Sequence, residues 1–382
     1  MRRIAVFAGA FDPIHEGHIS VLTAVMSLGK ADEVILLPST APPYRKPIIQ
    51  SKSLRELCRT AIRDLPGVRL ADEKPLKSGQ SIIEAIRAIK ARSKEAEYLY
   101  IVGADKLAGL LHWSKAPKLF KLCRFLVYPR AGYEAEEIIS FASSHGLKAE
   151  LLDMPAVEVS SAMVRDELKQ LSDAPGMIDR ETGRIIALQG LYQTPYATMI
   201  RPYMSQRRYT HTLGVRDLAV ELAYEHDLSM QAAAAAALLH DCAKEMKLGM
   251  MQAMARHYQL CEYPGEMESN ALLHGKIAAV FASHKYDVHD EDVLNAIRYH
   301  TTGRPGMSPL ELCVFVADKA ESSRKPYPGL DEIRLLMHRD LEAAALVSMR
   351  STRKYVAFMG QAYSEETDAA IDFLEHDRIM SR

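Results

Sequence analysis

Two domains of different class are predicted by this sequence: an α/β half built on a parallel sheet, followed by an all-helical half. Three observations carry the prediction. The chain has 382 residues, longer than the roughly 250–300 at which a single core stops growing. Short apolar, β-branched runs alternate with amphipathic stretches in the first half, and strand signals stop near Pro195. The composition, 48% hydrophobic and 25% charged with a formal net charge of −1, excludes a disordered or collagen-like chain. It also lacks the basic excess of a general nucleic-acid binder.

Residues 4–8, 34–37, 98–102 and 125–128 read as buried strands, and 18–28, 53–64, 81–91 and 135–143 as amphipathic helices. Repeated strand–helix alternation predicts a parallel sheet with helices on both faces. Residues 173–194, with Pro175 and Gly176, read as the tail of the first domain and a connector, so domains of 1–194 and 195–382 are expected. Helices are then expected at 216–225, 231–244, 275–283, 291–300 and 309–321. The five cysteines form no CxxC pair, which suits a reducing compartment. The apolar run at 4–8 is too short for a secretory leader, and no stretch approaches the roughly 20 apolar residues of a membrane span. A cytoplasmic protein without membrane or nucleic-acid partners is expected, its oligomeric state left open.

The 14 histidines fall unevenly: His15, His18, His112 and His145 precede residue 200 and ten follow it. The first pair lies in Ala8-Gly9-Ala10-Phe11-Asp12-Pro13-Ile14-His15-Glu16-Gly17-His18, which joins the first strand to the first helix. A strand-to-helix turn at the carboxyl edge of a parallel sheet is where α/β folds bind ligands. The helix start offers free N–H groups and partial positive charge to a phosphate, and the glycines let the backbone come close. His15 and His18, three apart, can face one point and stabilise charge that develops in phosphoryl or nucleotidyl transfer. A plain turn with two exposed histidines is the alternative for such a motif taken alone. In the second half, His240-Asp241 closes the apolar stretch 232–239. A buried charge there needs a partner, and a metal satisfies both residues. His211, His274, His300 and Asp318 fall on separate expected helices. Mixed imidazole and carboxylate donors suit Fe, Mn, Zn, Ni or Co better than Mg or Ca.

The stretch GAFDPIHEGH at 9–18 resembles the signature of the nucleotidyltransferases, more closely that of the nicotinate mononucleotide adenylyltransferases. Three further segments match in order: LPSTAPPYRK at 37–46, IVGAD at 101–105 with Leu111-His112-Trp113, and VSSAMVR at 159–165. The resemblance covers residues 1–192. It implies a Rossmann-like sheet and transfer of AMP from ATP to nicotinate mononucleotide, giving deaminated NAD and pyrophosphate. His15 and His18 would act catalytically on the ATP phosphates, joined by Ser160, Ser161 and Arg165 at a later helix start. Gly9, Phe11, Gly103 and Asp105 would line the nucleotide site, Lys46 would meet the mononucleotide phosphate, and Trp113 would stack on the pyridine. Mg²⁺ would enter chiefly on the phosphates, since it keeps waters and takes few protein ligands. The chain departs from the family's pattern at Ala10 and Ala162, where hydroxyl residues are usual, and at Ser81-Ile82-Ile83, which lacks the Tyr and Thr hydroxyls. These departures bear on the choice between nicotinate and nicotinamide forms. The alternative substrate is another phosphorylated small molecule, such as phosphopantetheine.

RYTH at 208–211, LLHDCAK at 238–244, LLHG at 272–275, YHTTG at 299–303 and VADK at 316–319 resemble the HD-domain symmetrical bis(5′-nucleosyl)-tetraphosphatases. That resemblance covers residues 196–382 and implies an HD-domain helical bundle that cleaves diadenosine tetraphosphate to two ADP. His211, His240, Asp241, His274, His300 and Asp318 would hold two transition-metal ions, iron being the expected metal, with Asp241 between them and Lys244 steadying the phosphate. Arg208, Thr301, Arg304 and Arg324 are weaker candidates for phosphate contacts. The rival readings make the helical half a nucleotide-sensing regulatory module, or leave one or both sites degenerate.

Overall fold

The computed structural model describes residues 1–38, 48–72, 82–111, 116–144, 146–360 and 364–380. They form two compact units, one of residues 1–167 and 174–182 and one of residues 168–173 and 183–382.

In the first unit, six strands lie parallel: β1 (Arg3–Gly9), β2 (Glu33–Pro38), β3 (Val68–Leu70), β4 (Glu97–Gly103), β5 (Arg124–Tyr128) and β6 (Ala149–Leu151). Their order is β3-β2-β1-β4-β5-β6, that of a doubly wound, Rossmann-like fold. β1 and β4 occupy the centre and are buried almost throughout, which is why they read as unbroken apolar runs. β3 and β6, not expected from the sequence, are three-residue edge strands, VRL and AEL, that are at most half-buried. Three residues are too few for a readable period. Phe7 stands opposite Ile101, so β1 and β4 run out together at Gly9 and Gly103. Strand order reverses at this point, and the crevice there receives ligands in such sheets. The first helix, Glu16–Ser27, starts directly behind it. The expected connector also contains a helix, Arg180–Gln189. Gly183 inside it and Pro175 and Gly176 ahead of it obscured the apolar face of Ile186 and Ala187.

The second unit is helical, among its described residues. Gln206–Glu225 begins well before the expected residue 216, because Ser205 caps it by accepting a hydrogen bond from the Arg208 N–H and its first turns are polar. Met230–Leu239 follows, and every one of its residues is buried. It ends at Leu239, earlier than the expected 244, so His240 and Asp241 leave the helix in a turn. Asn270–Tyr286, Glu291–Tyr299 and Pro309–Ala320 complete the bundle around the site. The run of alanines at 232–237 lets neighbouring helices close on Met230–Leu239, since interaxial distance depends on the side chains at the contact. Among the described residues, no helix is long and apolar enough to cross a membrane.

Asp173 anchors the buried helix: its carboxylate accepts the N–H groups of Met230 and Gln231, both at 3.0 Å, and lies near Ser229, the capping residue. Asp173→Ala should therefore cost about 1–2 kcal/mol when the helical unit is unfolded with denaturant and followed by circular dichroism. An unchanged midpoint would show that this cap contributes nothing.

Candidate active sites

At the carboxyl edge of the sheet, Phe11 takes a left-handed backbone conformation with φ 48°, which turns the chain from β1 toward the helix. His15 is the N-cap residue of Glu16–Ser27, and its N–H donates to His18 Nδ1 at 3.2 Å. That bond leaves the His18 proton on Nε2, free to donate elsewhere. The two imidazoles lie with centroids 3.7 Å apart, and Phe11 packs edge-on against His18 at 4.9 Å. Gly17 is required for this closeness, because a Cβ there would stand 2.6 Å from Val157 Cγ1 and 3.1 Å from the His15 ring. Burial, aided by the Arg130 charge, pushes His15 down to about 3. Burial also holds His18 well below its ordinary value, with His15 and Arg130 adding to it. Both rings are therefore neutral near pH 7. His15 Nδ1 is buried without a hydrogen-bond partner.

Ser160, Ser161 and Arg165 converge on the same turn from the helix Ser161–Lys169. Arg165 Nη1 donates to the Asp12 carbonyl at 2.5 Å and Ser161 Oγ to the Pro13 carbonyl at 2.8 Å. Ser160 Oγ accepts the Met163 N–H at 3.3 Å. Gly9 sits against the Phe11 ring, 3.1 Å from where its Cβ would be, and Gly103 leaves room for Asp105 Oδ1 and the Tyr128 ring. Asp105 Oδ1 is buried and unpartnered. Lys46 and Trp113 lie outside the described residues, as does Ser81. Arg130, which donates to the Val159 carbonyl at 2.8 Å, was not anticipated; a lone arginine in a loop carries no readable pattern.

The six expected metal ligands come together in the helical unit. His211 arrives on Gln206–Glu225, His274 on Asn270–Tyr286 and Asp318 on Pro309–Ala320, while His240 and His300 sit at the ends of Met230–Leu239 and Glu291–Tyr299. Asp241 lies at the centre. Its Oδ2 is 3.3 Å from His240 Nε2 and 3.8 Å from His211 Nε2, and Asp318 Oδ1 approaches the same two nitrogens at 3.8 and 3.0 Å. Its Oδ1 faces the other way, 3.2 Å from His274 Nε2 and 3.7 Å from His300 Nε2. All six residues are buried.

The four imidazoles are oriented alike. Nδ1 of His240, His274 and His300 meets the carbonyls of Ala237, Asn270 and Ile297 at 2.6, 3.1 and 2.7 Å, and that of His211 meets Glu321 Oε1 at 3.0 Å. Each Nδ1 thus carries the proton, and each Nε2 turns a lone pair inward, the arrangement found around metal-ligating histidines. His211 Nε2, His240 Nε2 and Asp241 Oδ1 are buried without hydrogen-bond partners, and His274 Nε2 faces His300 Nε2 at 2.9 Å. Two lone pairs in such contact repel unless a donor or cation sits beside them, and Lys244 Nζ and Thr301 Oγ1 stand there. Burial pushes His300 down to about 3 and lowers His274, with the Lys244 charge adding to the effect. Burial opposes the Asp241 and Asp318 charges, yet the neighbouring His240 for Asp241, and Lys319 and Arg324 for Asp318, hold both carboxyls well below the usual range. His240 differs: burial opposes its charge, but the Asp241 carboxylate beside it raises it above its ordinary value, so it gives up a proton when metal binds, as ligating imidazoles must. The residues therefore fit divalent metal: His211, His240 and Asp318, and likewise His240, Asp241 and His300, bring ligand atoms within 4.8 Å of one another.

Lys244 Nζ lies 3.0 Å from His274 Nε2, and burial lowers it to about 8. Arg208 pairs with Asp241 Oδ2 at 2.5 Å and Arg324 with Asp318. Thr301 Oγ1 is 3.1 Å from His300 Nε2. Arg304 is instead engaged by Glu311. A cavity of about 1190 Å³ opens beside His211, and Arg207, Arg208, Lys319, Arg324 and Lys325 line it. Its basic wall suits a polyphosphate chain. Sequence reasoning missed Glu321, whose partner His211 lies 110 residues away.

Sheet order and crevice define a nucleotidyltransferase unit, and the paired His/Asp groups define a metal-binding hydrolase unit, so the protein is an enzyme of two domains. Residues 6–167 match the cytidylyltransferase-like family and residues 208–323 the HD domain. The chain is 27% identical over 354 residues, 91% of its length and 98% of the relative's, to a Mycoplasma pneumoniae protein named "Probable nicotinate-nucleotide adenylyltransferase/Ap4A hydrolase". Its second half is 35% identical to the symmetrical bis(5′-nucleosyl)-tetraphosphatase of Bacillus subtilis, covering 48% of this chain and 94% of that one. Its first half is 30% identical to a Clostridium perfringens protein named "Probable nicotinate-nucleotide adenylyltransferase", covering 47% of this chain and 95% of that one. The first half of the chain belongs to the family of the nicotinate-nucleotide adenylyltransferases, and the second half to the HD-domain family of the symmetrical bis(5′-nucleosyl)-tetraphosphatases.

His15 should stay neutral in the folded protein until about pH 3, against 6.5 for an ordinary histidine. An unfolded chain takes up that proton near 6.5 and the folded chain does not, so this group removes stability as pH falls from about 6.5 toward 3. Imidazole NMR titration of the full chain reads this directly, and a His15 midpoint near 6.5 would refute it.

Proposed function

We propose that residues 1–194 transfer AMP from ATP to nicotinate mononucleotide, and that residues 195–382 hydrolyse diadenosine tetraphosphate to two ADP. The observation that carries the second activity is the Asp241 carboxylate, with one oxygen toward His211 and His240 and the other toward His274 and His300. Iron is the metal proposed for these two places. Two bound cations would supply Lewis acidity toward a phosphoryl oxygen and acidify water. The chain's own part is to fix the imidazoles through their Nδ1 partners, to keep the ligands dry, and to hold the polyphosphate against Arg207, Arg208 and Lys325. Lys244 steadies the phosphate on the His274 side. A sensor without catalysis would need neither the complete ligand set nor the paired arrangement.

For the first activity, the mononucleotide phosphate attacks the α-phosphorus of ATP and pyrophosphate leaves, with Mg²⁺ entering on the phosphates. His15 and His18, neutral and stacked, donate N–H groups to the phosphates, and Ser160, Ser161 and Arg165 hold the turn beneath them. Gly9 and Phe11 shape the cradle, and Asp105 offers buried acceptors to the nucleotide. Lys46 and Trp113 are the proposed contacts to the mononucleotide. Positioning and charge neutralisation carry the reaction without a protein nucleophile. With all five cysteines free, a reducing cytoplasm is the proposed setting.

Two assays separate the activities. His18→Ala should lower kcat for pyrophosphate release with nicotinate mononucleotide by about 10²–10³-fold and leave ADP release from diadenosine tetraphosphate intact. His240→Ala should do the reverse and lower bound transition metal. Turnover with phosphopantetheine but neither pyridine mononucleotide would overturn the first assignment, and full hydrolysis by the metal-free His240→Ala protein the second.

A further inference from the structure

The four imidazoles of the helical unit are not equivalent. His240, His274 and His300 each donate Nδ1–H to a neutral backbone carbonyl, whereas His211 donates to the Glu321 carboxylate. Glu321 is itself buried at the end of Pro309–Ala320. Ser323 pins it through its N–H and its hydroxyl, both at 2.6 Å. The helix carrying His211 also carries Gly214, where a Cβ would stand 2.8 Å from Glu321 Oε2. A glycine there leaves room for the carboxylate. An ionised acceptor behind an imidazole fixes its tautomer and raises the basicity of the opposite nitrogen.

Resting on the two-cation reading above, we infer that Glu321 is a positioning residue that makes the two halves of the centre unequal: the half formed by His211, His240 and Asp318 holds its cation tightly, and the half formed by His274 and His300 holds the second loosely. Only Asp241 Oδ1 contributes a carboxylate to that second half among the described residues, and the Lys244 ammonium stands 3.0 Å from His274 Nε2. Cations also approach the first half, Arg208 on Asp241 and Lys319 and Arg324 on Asp318, but these pair with carboxylates at the wall of the open cavity, whereas Lys244 meets the ligating nitrogen of His274 itself.

Titration of the full, metal-stripped chain with Mn²⁺, followed by electron paramagnetic resonance, tests this. The first equivalent should give an isolated ion, bound at least about tenfold more tightly than the second, and the second equivalent should give a spin-coupled pair. Glu321→Gln should weaken the first class by about 10–100-fold and leave the second unchanged. Gly214→Ala, which displaces the carboxylate without altering its charge, should act in the same direction and decides the matter if Glu321→Gln does not fold. A single class in the unaltered chain, a first class that neither variant moves, or equal weakening of both classes would overturn the inference. Failure to bind Mn²⁺ at all would instead defeat the two-cation reading on which it rests.

Discussion

A carboxylate 3% exposed, surrounded by four imidazoles, is the constraint that organises the helical unit. Removing a charge from water is expensive unless partners restore what hydration supplied. Asp241 stays ionised where four separate segments bring nitrogens, Arg208 with His211, His240, His274 and His300, to its two oxygens. The segments differ in length and polarity, but each delivers its ligand at the same depth. Their caps matter for this reason. A helix that slid or frayed by one turn would move its ligand by about 5 Å and leave the charge uncompensated.

The sheet unit answers a different demand. Its ligands are anions from solvent, so it needs donors and exposed backbone at an edge instead of a dry interior cage. Parallel strands ending together at Gly9 and Gly103, with a helix start directly behind, give that edge. The neutral His15 and His18 contribute hydrogen bonds without a permanent charge. The near-zero net charge of the chain fits both units: charge is concentrated where a phosphate must sit and balanced elsewhere.

Much of this was legible in the sequence because the chemistry was written in short, adjacent or regularly ordered residues. The central strands showed as unbroken apolar runs, and His240-Asp241 stood out as a polar pair closing an alanine-rich stretch. What escaped was what three-dimensional proximity alone creates. Glu321 lies 110 residues from His211, so no local pattern couples them. Edge strands β3 and β6 owe their existence to a neighbouring strand and not to their own three residues. The early start of Gln206–Glu225 was hidden because polar residues that face a cavity look like loop. Lys46 and Trp113, read from motif context, fall outside the described residues.

The buried helix Met230–Leu239 has a genetic consequence. Alanine and valine codons differ by one base, so Ala→Val is among the most accessible missense changes in the run 232–237. Each adds two methyl groups where the interior is already filled, and overpacking costs about 1–3 kcal/mol. The strain passes straight to His240 and Asp241, which follow the helix without a hinge. Heat-sensitive alleles that lose hydrolysis while sparing adenylyl transfer should therefore cluster in this segment, giving a selection that dissects the two activities in living cells.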